Sequence, residues 1–181
     1  MTLNQKKGSS ISEVLKRVFL YGILLTLLVS AQCSFFSNLH ICPATPDLMM
    51  GAVLAILLLD SKKAATITAI CAGVLADAIG GSGYSLSPLF FLVFAGIMGL
   101  LSEKMLPSFF SYMILLIPAL LMKAAYTCLC IFAAYGSLPI LYTAKNILFP
   151  EAVCTFLLCL AVFPITKLFV RPLGMRNKFS F

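Results

Sequence analysis

The sequence predicts an all-α protein, a polytopic membrane bundle of about six transmembrane helices, and its composition and charge placement carry that prediction. Hydrophobic residues make up 61% of the 181 residues and charged residues only 10%, whereas a soluble domain is roughly 45–50% apolar. The basic residues also collect in alternate connections between the apolar runs. Every polar stretch is too short to form a soluble domain, so the chain consists of a membrane domain and its tails.

Six apolar runs separated by polar breaks give the predicted spans, and all six are predicted helices because a helix satisfies its own backbone hydrogen bonds in lipid. The second run is short. Its sequence LMMGAVLAILLL, between Asp47 and Asp60, covers only about 18 Å of a hydrocarbon core of about 30 Å. It can be tilted, re-entrant or extended through 44–46. Pro118 predicts a kink or tilt in the fifth run. The six runs are 18–36, 46–60, 64–79, 85–101, 108–135 and 146–169.

The placement of Lys and Arg predicts the topology, because short cytoplasmic loops accumulate positive charge. Nearly all of the 13 basic residues lie before the first run, between the second and third, after the fourth, or after the sixth. Both termini are therefore expected in the cytoplasm, with a basic tail over 1–17, a six-helix domain over 18–169 and a second basic tail over 170–181. The topology-determining residues are Lys16, Arg17, Lys62, Lys63, Lys104 and Arg171.

The net charge of +7 then has a topological origin, and the expected partner of these charges is the lipid bilayer rather than nucleic acid. The first run also resembles a secretory signal sequence, with Val29 and Ala31 before a candidate cleavage point. An uncleaved first span fits the charge pattern better.

No catalytic, metal or cofactor site is predicted. The single histidine, His40, has no Cys or carboxylate at a coordination spacing and no base–nucleophile set around it. The glycines at 80, 81 and 83 lack the ending of a phosphate-binding loop, and the six acids are scattered over different segments. The sequence therefore predicts a protein that is not an enzyme.

The seven cysteines are interpreted as follows. Cys33 and Cys42 flank the first external loop and can form a disulfide if that compartment is oxidising. The other five lie within apolar runs, where a thiol behaves as a small hydrophobic core residue. These are Cys71, Cys128, Cys130, Cys154 and Cys159.

Asp77 and Lys123 are the charged residues predicted within the membrane core, and a charge at the centre of a membrane helix costs about 2.5–3.5 kcal/mol on insertion scales. Both lie roughly 20 Å from the cytoplasmic start of their helices. One expectation is an ion pair between them. The alternative is that Asp77 forms a cap or hydrogen bond near the external interface while Lys123 extends its ammonium to the membrane surface.

Gly73, Asp77 and Gly80 share one helical face, with Gly81 close by. Small residues on one face allow helices to approach closely, which favours association in lipid. Internal packing is the default interpretation and contact with another protein is the alternative. Asp47, at the start of the short second run, is a further candidate polar or partner-contact residue.

The segments PDLMMGAVLAILLLDSKK and AGVLADAIGGSGYSLSPLFFLVFAGIMGLLSEK, over about 46–104, resemble the rod-shape-determining protein MreD family of bacteria. The resemblance lies in a short helix led by Pro-Asp, a basic break, a helix running from Gly to Asp and ending in glycines, and an apolar helix with Gly96 and Gly99. Tyr84–Leu86 departs from the family pattern, and Lys123 has no counterpart in it.

This resemblance implies a non-catalytic scaffold or adaptor in the bacterial cytoplasmic membrane that supports cell shape and peptidoglycan synthesis. Its implied partners are the bitopic protein MreC, the actin-like MreB filament, and the RodA glycosyltransferase with its transpeptidase. The implied fold is similar to the substrate-binding subunits of energy-coupling-factor vitamin transporters.

That fold similarity supplies the alternative function, a vitamin-binding subunit of such a transporter. A vitamin site needs convergent polar groups in an apolar pocket, and the candidates are Asn38, His40, Asp77, Tyr84, Tyr135, Tyr142 and Asn146. An ion-coupled carrier using Asp77 and Lys123 is a third class, and the absence of a clear internal repeat disfavours it.

Overall fold

In the computed structural model, the described residues are 10–36, 46–80, 86–136 and 140–171. They form helices with short connections and contain no β-strand, so the all-α prediction is confirmed for them. The helices are α1 (Ser10–Ala31), α2 (Leu48–Leu59), α3 (Lys62–Gly80), α4 (Ser87–Leu101), α5 (Phe109–Tyr135), α6 (Ile140–Thr143) and α7 (Phe149–Val170). A π-helical turn, Ala144–Leu148, joins α6 to α7.

Local sequence explains several helix ends. Ser108 precedes α5 and its hydroxyl accepts a hydrogen bond from the Phe110 amide at 3.1 Å, the usual role of serine before a first turn. Gly136 ends α5 with a left-handed φ of 67°, which glycine adopts without steric cost. Pro88 lies in the first turn of α4, where its missing N–H has no intrahelical partner to lose.

Within the described ranges, four helical segments are long and apolar enough to cross a membrane, which indicates a membrane protein. They are Lys16–Ser34, Ser87–Lys104, Phe109–Ala134 and Ala144–Val170. The predicted second and third runs correspond to α2 and α3, and α2 is apolar but shorter than a usual span.

Helix α2 lies at the centre of the bundle. All 12 of its residues are buried, and α1, α3, α4, α5 and α7 pack around it. The hydrophobic helix that is too short to cross a membrane by itself is therefore surrounded by protein. This is the physical setting in which a short, uniformly apolar helix is stable, because its side chains are buried and its ends can be satisfied by neighbours.

The contacts of α2 define two ends of the bundle. Asp47, before α2, contacts Lys123 of α5 and Thr155 of α7, while Asp60, after α2, contacts Arg17 of α1. We call the Asp60 side the basic end, because Lys62 also lies there, paired with Glu103. We call the Asp47 side the far end.

The glycine face predicted on α3 makes an internal contact at Gly73. A Cβ atom at this position would lie 2.5 Å from the Pro88 Cα atom and 2.7 Å from its nitrogen. The first turn of α4 therefore packs directly on the α3 backbone, and this side of Gly73 is occupied within the chain. Gly80 ends α3, and Gly81 lies outside the described residues.

The core-filler interpretation of the cysteines is confirmed for Cys159 and is wrong for Cys71 and Cys154. Cys159 is buried against α2, whereas Cys71 is exposed on the surface of the bundle. Cys154 is disulfide-bonded, so it is not the simple small hydrophobe that the sequence predicted. The expected Cys33–Cys42 pair involves Cys42, which lies outside the described residues.

Candidate functional site

The candidate site is a group of polar side chains at the far end of the buried helix, formed by Asp47, Lys123, Glu151 and Thr155. We refer to these four residues as the far-end cluster. They come from three different parts of the chain: the residue before α2, the middle of α5 and the beginning of α7. Three of the four have 1–9% of their surface exposed, and the Lys123 side chain is 20% exposed.

Asp47 is the N-cap of α2, and four contacts hold it in place. Its Oδ1 atom accepts a hydrogen bond from the Met50 amide at 3.1 Å, which satisfies one of the free N–H groups at the start of the helix. Its own amide donates to the Thr155 hydroxyl at 3.2 Å. Its carbonyl accepts a weak contact from the Cys159 thiol at 3.9 Å. The fourth contact is an ion pair.

The ion pair joins Asp47 to Lys123, with 2.7 Å between Oδ2 and Nζ. The sequence had suggested Asp77 as the partner of Lys123, and the structure gives Asp47 instead. Counting residues along α3 and α5 placed Asp77 at the right depth but did not include the start of α2, which lies at a comparable depth inside the bundle. Because α2 is short, the charged residue at its start is buried within the bundle.

An aromatic pair lies beside Lys123. The Nζ atom of Lys123 is 5.8 Å from the centroid of the Tyr126 ring, within the range of a cation–π contact. Tyr126 stacks on Phe90 with 4.3 Å between ring centroids, and its hydroxyl is 3.1 Å from the Ser87 hydroxyl. The far-end cluster is thus bordered on its aromatic side by Tyr126 and Phe90.

Asp77 lies on α3, one turn beyond Gly73, and is half-buried. It interacts electrostatically with Tyr126, so it lies near the aromatic side of the far-end cluster rather than at the ion pair. Of the other polar candidates, Tyr142 and Asn146 are exposed. Asn38, His40 and Tyr84 lie outside the described residues, as does the environment of the Tyr135 side chain.

A second polar group, at the basic end, closes α2 from the opposite side. The Asp60 carboxylate, 4% exposed, accepts a hydrogen bond from the Arg17 guanidinium at 2.5 Å and another from the Tyr21 hydroxyl at 2.5 Å. We refer to Arg17, Tyr21 and Asp60 as the basic-end cluster. Each of its acceptor oxygens has a donor, so this cluster is balanced in charge and in hydrogen bonds.

The remaining topology residues also have assigned positions. Lys62 pairs with Glu103 of the connection after α4, and Lys63 and Lys104 are exposed close to them in sequence. Lys16 is exposed next to Arg17, and Arg171 follows the last turn of α7. Because the contacts of Asp47 with Thr155 and of Gly51 with Cys159 run in the same order along both helices, α7 is parallel to α2 and ends at the basic end.

Sequence reasoning missed Glu151, Thr155 and Tyr126. Glu151 follows Pro150 in the first turn of α7, where an acidic residue is favoured, and this local signal does not indicate that the residue is buried. Asp60 was used only as a boundary of the second run. The signal that both ends would be buried was present: an aspartate on each side of an apolar run too short to span.

The chemistry available to the far-end cluster is that of charge pairing and hydrogen bonding. Within the ranges that the structure describes, no three His, Cys, Asp or Glu side chains are arranged to hold a metal ion. The hydroxyl of Thr155 already accepts from the Asp47 amide, and the hydroxyl of Tyr126 contacts Ser87. The groups of the cluster hold α2, α5 and α7 together.

Comparison of the chain with protein-family models, with curated proteins and with solved structures found no significant match in any of the three.

Proposed function

We propose that this protein is a non-catalytic integral membrane scaffold of the bacterial cell-elongation machinery. It crosses the cytoplasmic membrane six times with both termini in the cytoplasm, and binds an MreC-like bitopic protein. Through that partner it links periplasmic wall synthesis by RodA and its transpeptidase with the cytoplasmic MreB filament. The proposal rests on the resemblance over 46–104 and on the architecture.

The observation that carries the proposal is that the centre of the bundle is occupied by α2. A helix whose 12 residues are all buried fills the interior with the chain itself, and both of its ends carry buried charge pairs. The outer surfaces of the helices are then what the protein presents to other molecules. This arrangement suits a protein that binds partners along its sides.

The face of α1 that points away from the bundle is the surface we assign to the partner helix. Gly22, Thr26 and Ser30 are all exposed and lie four residues apart, so they form one row of small side chains. A Cβ atom at Gly22 would have nothing within 4 Å. A transmembrane helix can approach such a row closely, which is a main source of helix association in lipid.

The six-span arrangement includes α2 and α3 as spans. Helix α3 has 19 residues, long enough to cross about 28 Å. Helix α2 is shorter, and in this arrangement the charged residues that flank it lengthen the span at both ends. Reporter fusions at residues 63 and 145 test this topology. We expect a cytoplasmic reporter to be active at 63 and a periplasmic reporter to be active at 145, and the reverse result would contradict it.

The function is tested by purifying the tagged protein from its native membrane in mild detergent and identifying co-purified proteins and small molecules by mass spectrometry. We expect a bitopic coiled-coil protein together with wall-synthesis enzymes. The variant Gly22→Leu should reduce recovery of the bitopic protein by about tenfold or more, which corresponds to roughly 1.4 kcal/mol. Recovery of no wall-synthesis protein would contradict the proposal.

Gly96→Leu is the matched control. Gly96 lies on the exposed side of α4 and also has nothing within 4 Å of a Cβ atom, but large apolar side chains such as Val93 and Leu100 surround it on that face. We expect this variant to retain the partner. Equal losses from both variants would show that the α1 face has no special role.

The vitamin-transporter alternative is favoured by one observation, the convergence of Lys123, Tyr126 and Phe90 with the carboxylates of the far-end cluster. A ligand pocket typically combines an apolar or aromatic wall with a few convergent polar groups. Recovery of a stoichiometric vitamin or of paired ATPases in the same purification would support this function and replace the scaffold.

A further inference from the structure

Glu151 is the member of the far-end cluster that takes part in none of the hydrogen bonds and ion pairs described above. It lies in the first turn of α7 and is nine-tenths buried, with 9% of its surface exposed. Thr155, one helical turn further along the same face, accepts the hydrogen bond from the Asp47 amide. Glu151 interacts electrostatically with both Lys123 and Asp47. Its carboxylate therefore belongs to the same electrostatic site as the ion pair.

The ion pair is complete without Glu151. One oxygen of Asp47 caps α2 and the other accepts from Lys123. In the described part of the chain, Glu151 takes part in no hydrogen bond and no ion pair, and its oxygens are not fully enclosed. A glutamate that is nine-tenths buried and has no hydrogen bond or ion pair among the described residues gains from binding a proton.

Charge balance decides what the site requires. With both acids ionised, Lys123 compensates only one of them, and one negative charge is left in a bundle surrounded by lipid. A buried charge without a partner costs several kcal/mol, so the site favours one further positive charge. Among the described residues, the charged groups that interact with Glu151 are Lys123 of α5 and Asp47 before α2. Lys145, on the turn before α7, is exposed.

We propose that Glu151 is a proton-binding site whose occupancy controls how Lys123 is shared between two helices. With the proton bound, Glu151 is neutral, the charges of the cluster balance and Lys123 pairs with Asp47 alone. When the O–H bond breaks and the proton passes to water, Glu151 becomes a second carboxylate for Lys123, whose ammonium has three donors. Lys123 then bridges from α5 to α7 as well as to the start of α2. This role is independent of the scaffold function.

Infrared spectroscopy of the purified full-length protein in lipid nanodiscs tests the proposal. The C=O stretch of a protonated carboxylic acid is recorded as the pH is raised. We expect a band that disappears when the acid ionises and that is missing in Glu151→Gln. Because interacting groups titrate as a set, the other members of the cluster should move this midpoint.

Two variants shift the midpoint in opposite directions. Asp47→Asn removes a neighbouring negative charge and frees Lys123 for Glu151, so ionisation becomes easier and the midpoint falls by about one pH unit or more. Lys123→Met removes the positive charge, so ionisation becomes harder and the midpoint rises by a similar amount. Glu103→Gln, an exposed glutamate at the basic end, is the matched control and should leave the band unchanged.

Three results would overturn the proposal. One is a spectrum in which Glu151→Gln removes no acid band at any pH, which means that Glu151 is ionised throughout. Another is a band that responds to sodium or potassium at constant pH, which assigns the extra positive charge to a metal ion. The third is a midpoint that neither Asp47→Asn nor Lys123→Met moves. Circular dichroism and gel filtration of each variant establish that the fold is retained, and a structural role alone would change stability without these opposite shifts.

Discussion

The two ends of α2 each bury an aspartate, but the groups that surround the two aspartates differ. At each end an aspartate that directly flanks the helix pairs with a cation from a neighbouring helix, Asp60 with Arg17 and Asp47 with Lys123. At the basic end the second oxygen of the aspartate is bound by Tyr21, so donors and acceptors match. At the far end Glu151 adds a second carboxyl group to the site. The basic end therefore has one acid for one cation, whereas the far end has two acids and one cation.

Removing the cation at the far end should have the largest effect on stability. Lys123→Met leaves Asp47 buried without its partner and is expected to lower the free energy of unfolding by about 3–5 kcal/mol. Unfolding in mixed micelles with increasing SDS measures the change. The double variant with Asp47→Asn should lose much less than the sum of the single changes. Additive losses would show that the two side chains do not stabilise the bundle as a pair.

Changing the acid at the basic end should cost less, because the Arg17 side chain is 28% exposed and can be solvated after its partner is lost. We expect Asp60→Asn to lower the free energy of unfolding by about 1.5–3 kcal/mol. Tyr21→Phe removes one hydrogen bond and leaves the ion pair, so its loss should be about 1 kcal/mol. A larger loss for Asp60→Asn than for Lys123→Met, in the same unfolding assay, would reverse the proposed ranking of the two ends.

The contact between α3 and α4 provides a comparison that does not depend on charge. Gly73→Ala places a methyl group against the backbone of Pro88, so the two helices must separate, at a cost of about 1–3 kcal/mol. Gly96→Ala adds the same methyl group where nothing lies within 4 Å and should be neutral or slightly stabilising. Thermal unfolding of the two variants in one detergent measures the difference, and equal melting temperatures would contradict the close packing.

The smallest effect is expected at the exposed pair of Lys62 and Glu103 at the basic end. Their side chains are 41% and 54% exposed, and exposed ion pairs contribute about 0.2–1 kcal/mol. Glu103→Gln should therefore change stability by no more than this, and the difference should vanish in high salt because water and ions screen the charges. A loss comparable with that of Asp60→Asn would show that burial does not determine the strength of these pairs.

The helical fold could be predicted from the sequence, because its signals are local. Apolar runs, Pro88 in the first turn of α4 and Ser108 before α5 each act within a few residues, and the helices occupy the predicted runs. The enclosed position of α2 was only partly indicated by its length. The length of a run of 12 apolar residues does not determine whether the helix is tilted, re-entrant or surrounded by other helices. Its position depends on how the longer helices pack.

The ion pair at the far end could not be predicted by comparing depth along helices. Depth fixes one coordinate, and the choice between Asp47 and Asp77 depends on rotation about α5 and on which helices are neighbours. In the structure Tyr126 and Phe90 lie on the side of Asp77, while Lys123 extends toward the start of α2. The burial of Glu151 depends on the packing of α7 against α2 and α5, a long-range feature that the residues around Glu151 do not show.

The enclosed position of α2 also imposes an order on membrane insertion. During synthesis Arg17 and Tyr21 leave the ribosome before Asp60, so the basic end of α2 can close as soon as this helix enters the membrane. The partners of Asp47 are Lys123 and Thr155, which are translated much later. Until α5 and α7 are inserted, a helix of 12 residues, too short for the bilayer, has partners for Asp60 but none of the later partners of Asp47. The far end therefore completes the bundle, and a chain truncated before α5 should leave α2 exposed to membrane quality control.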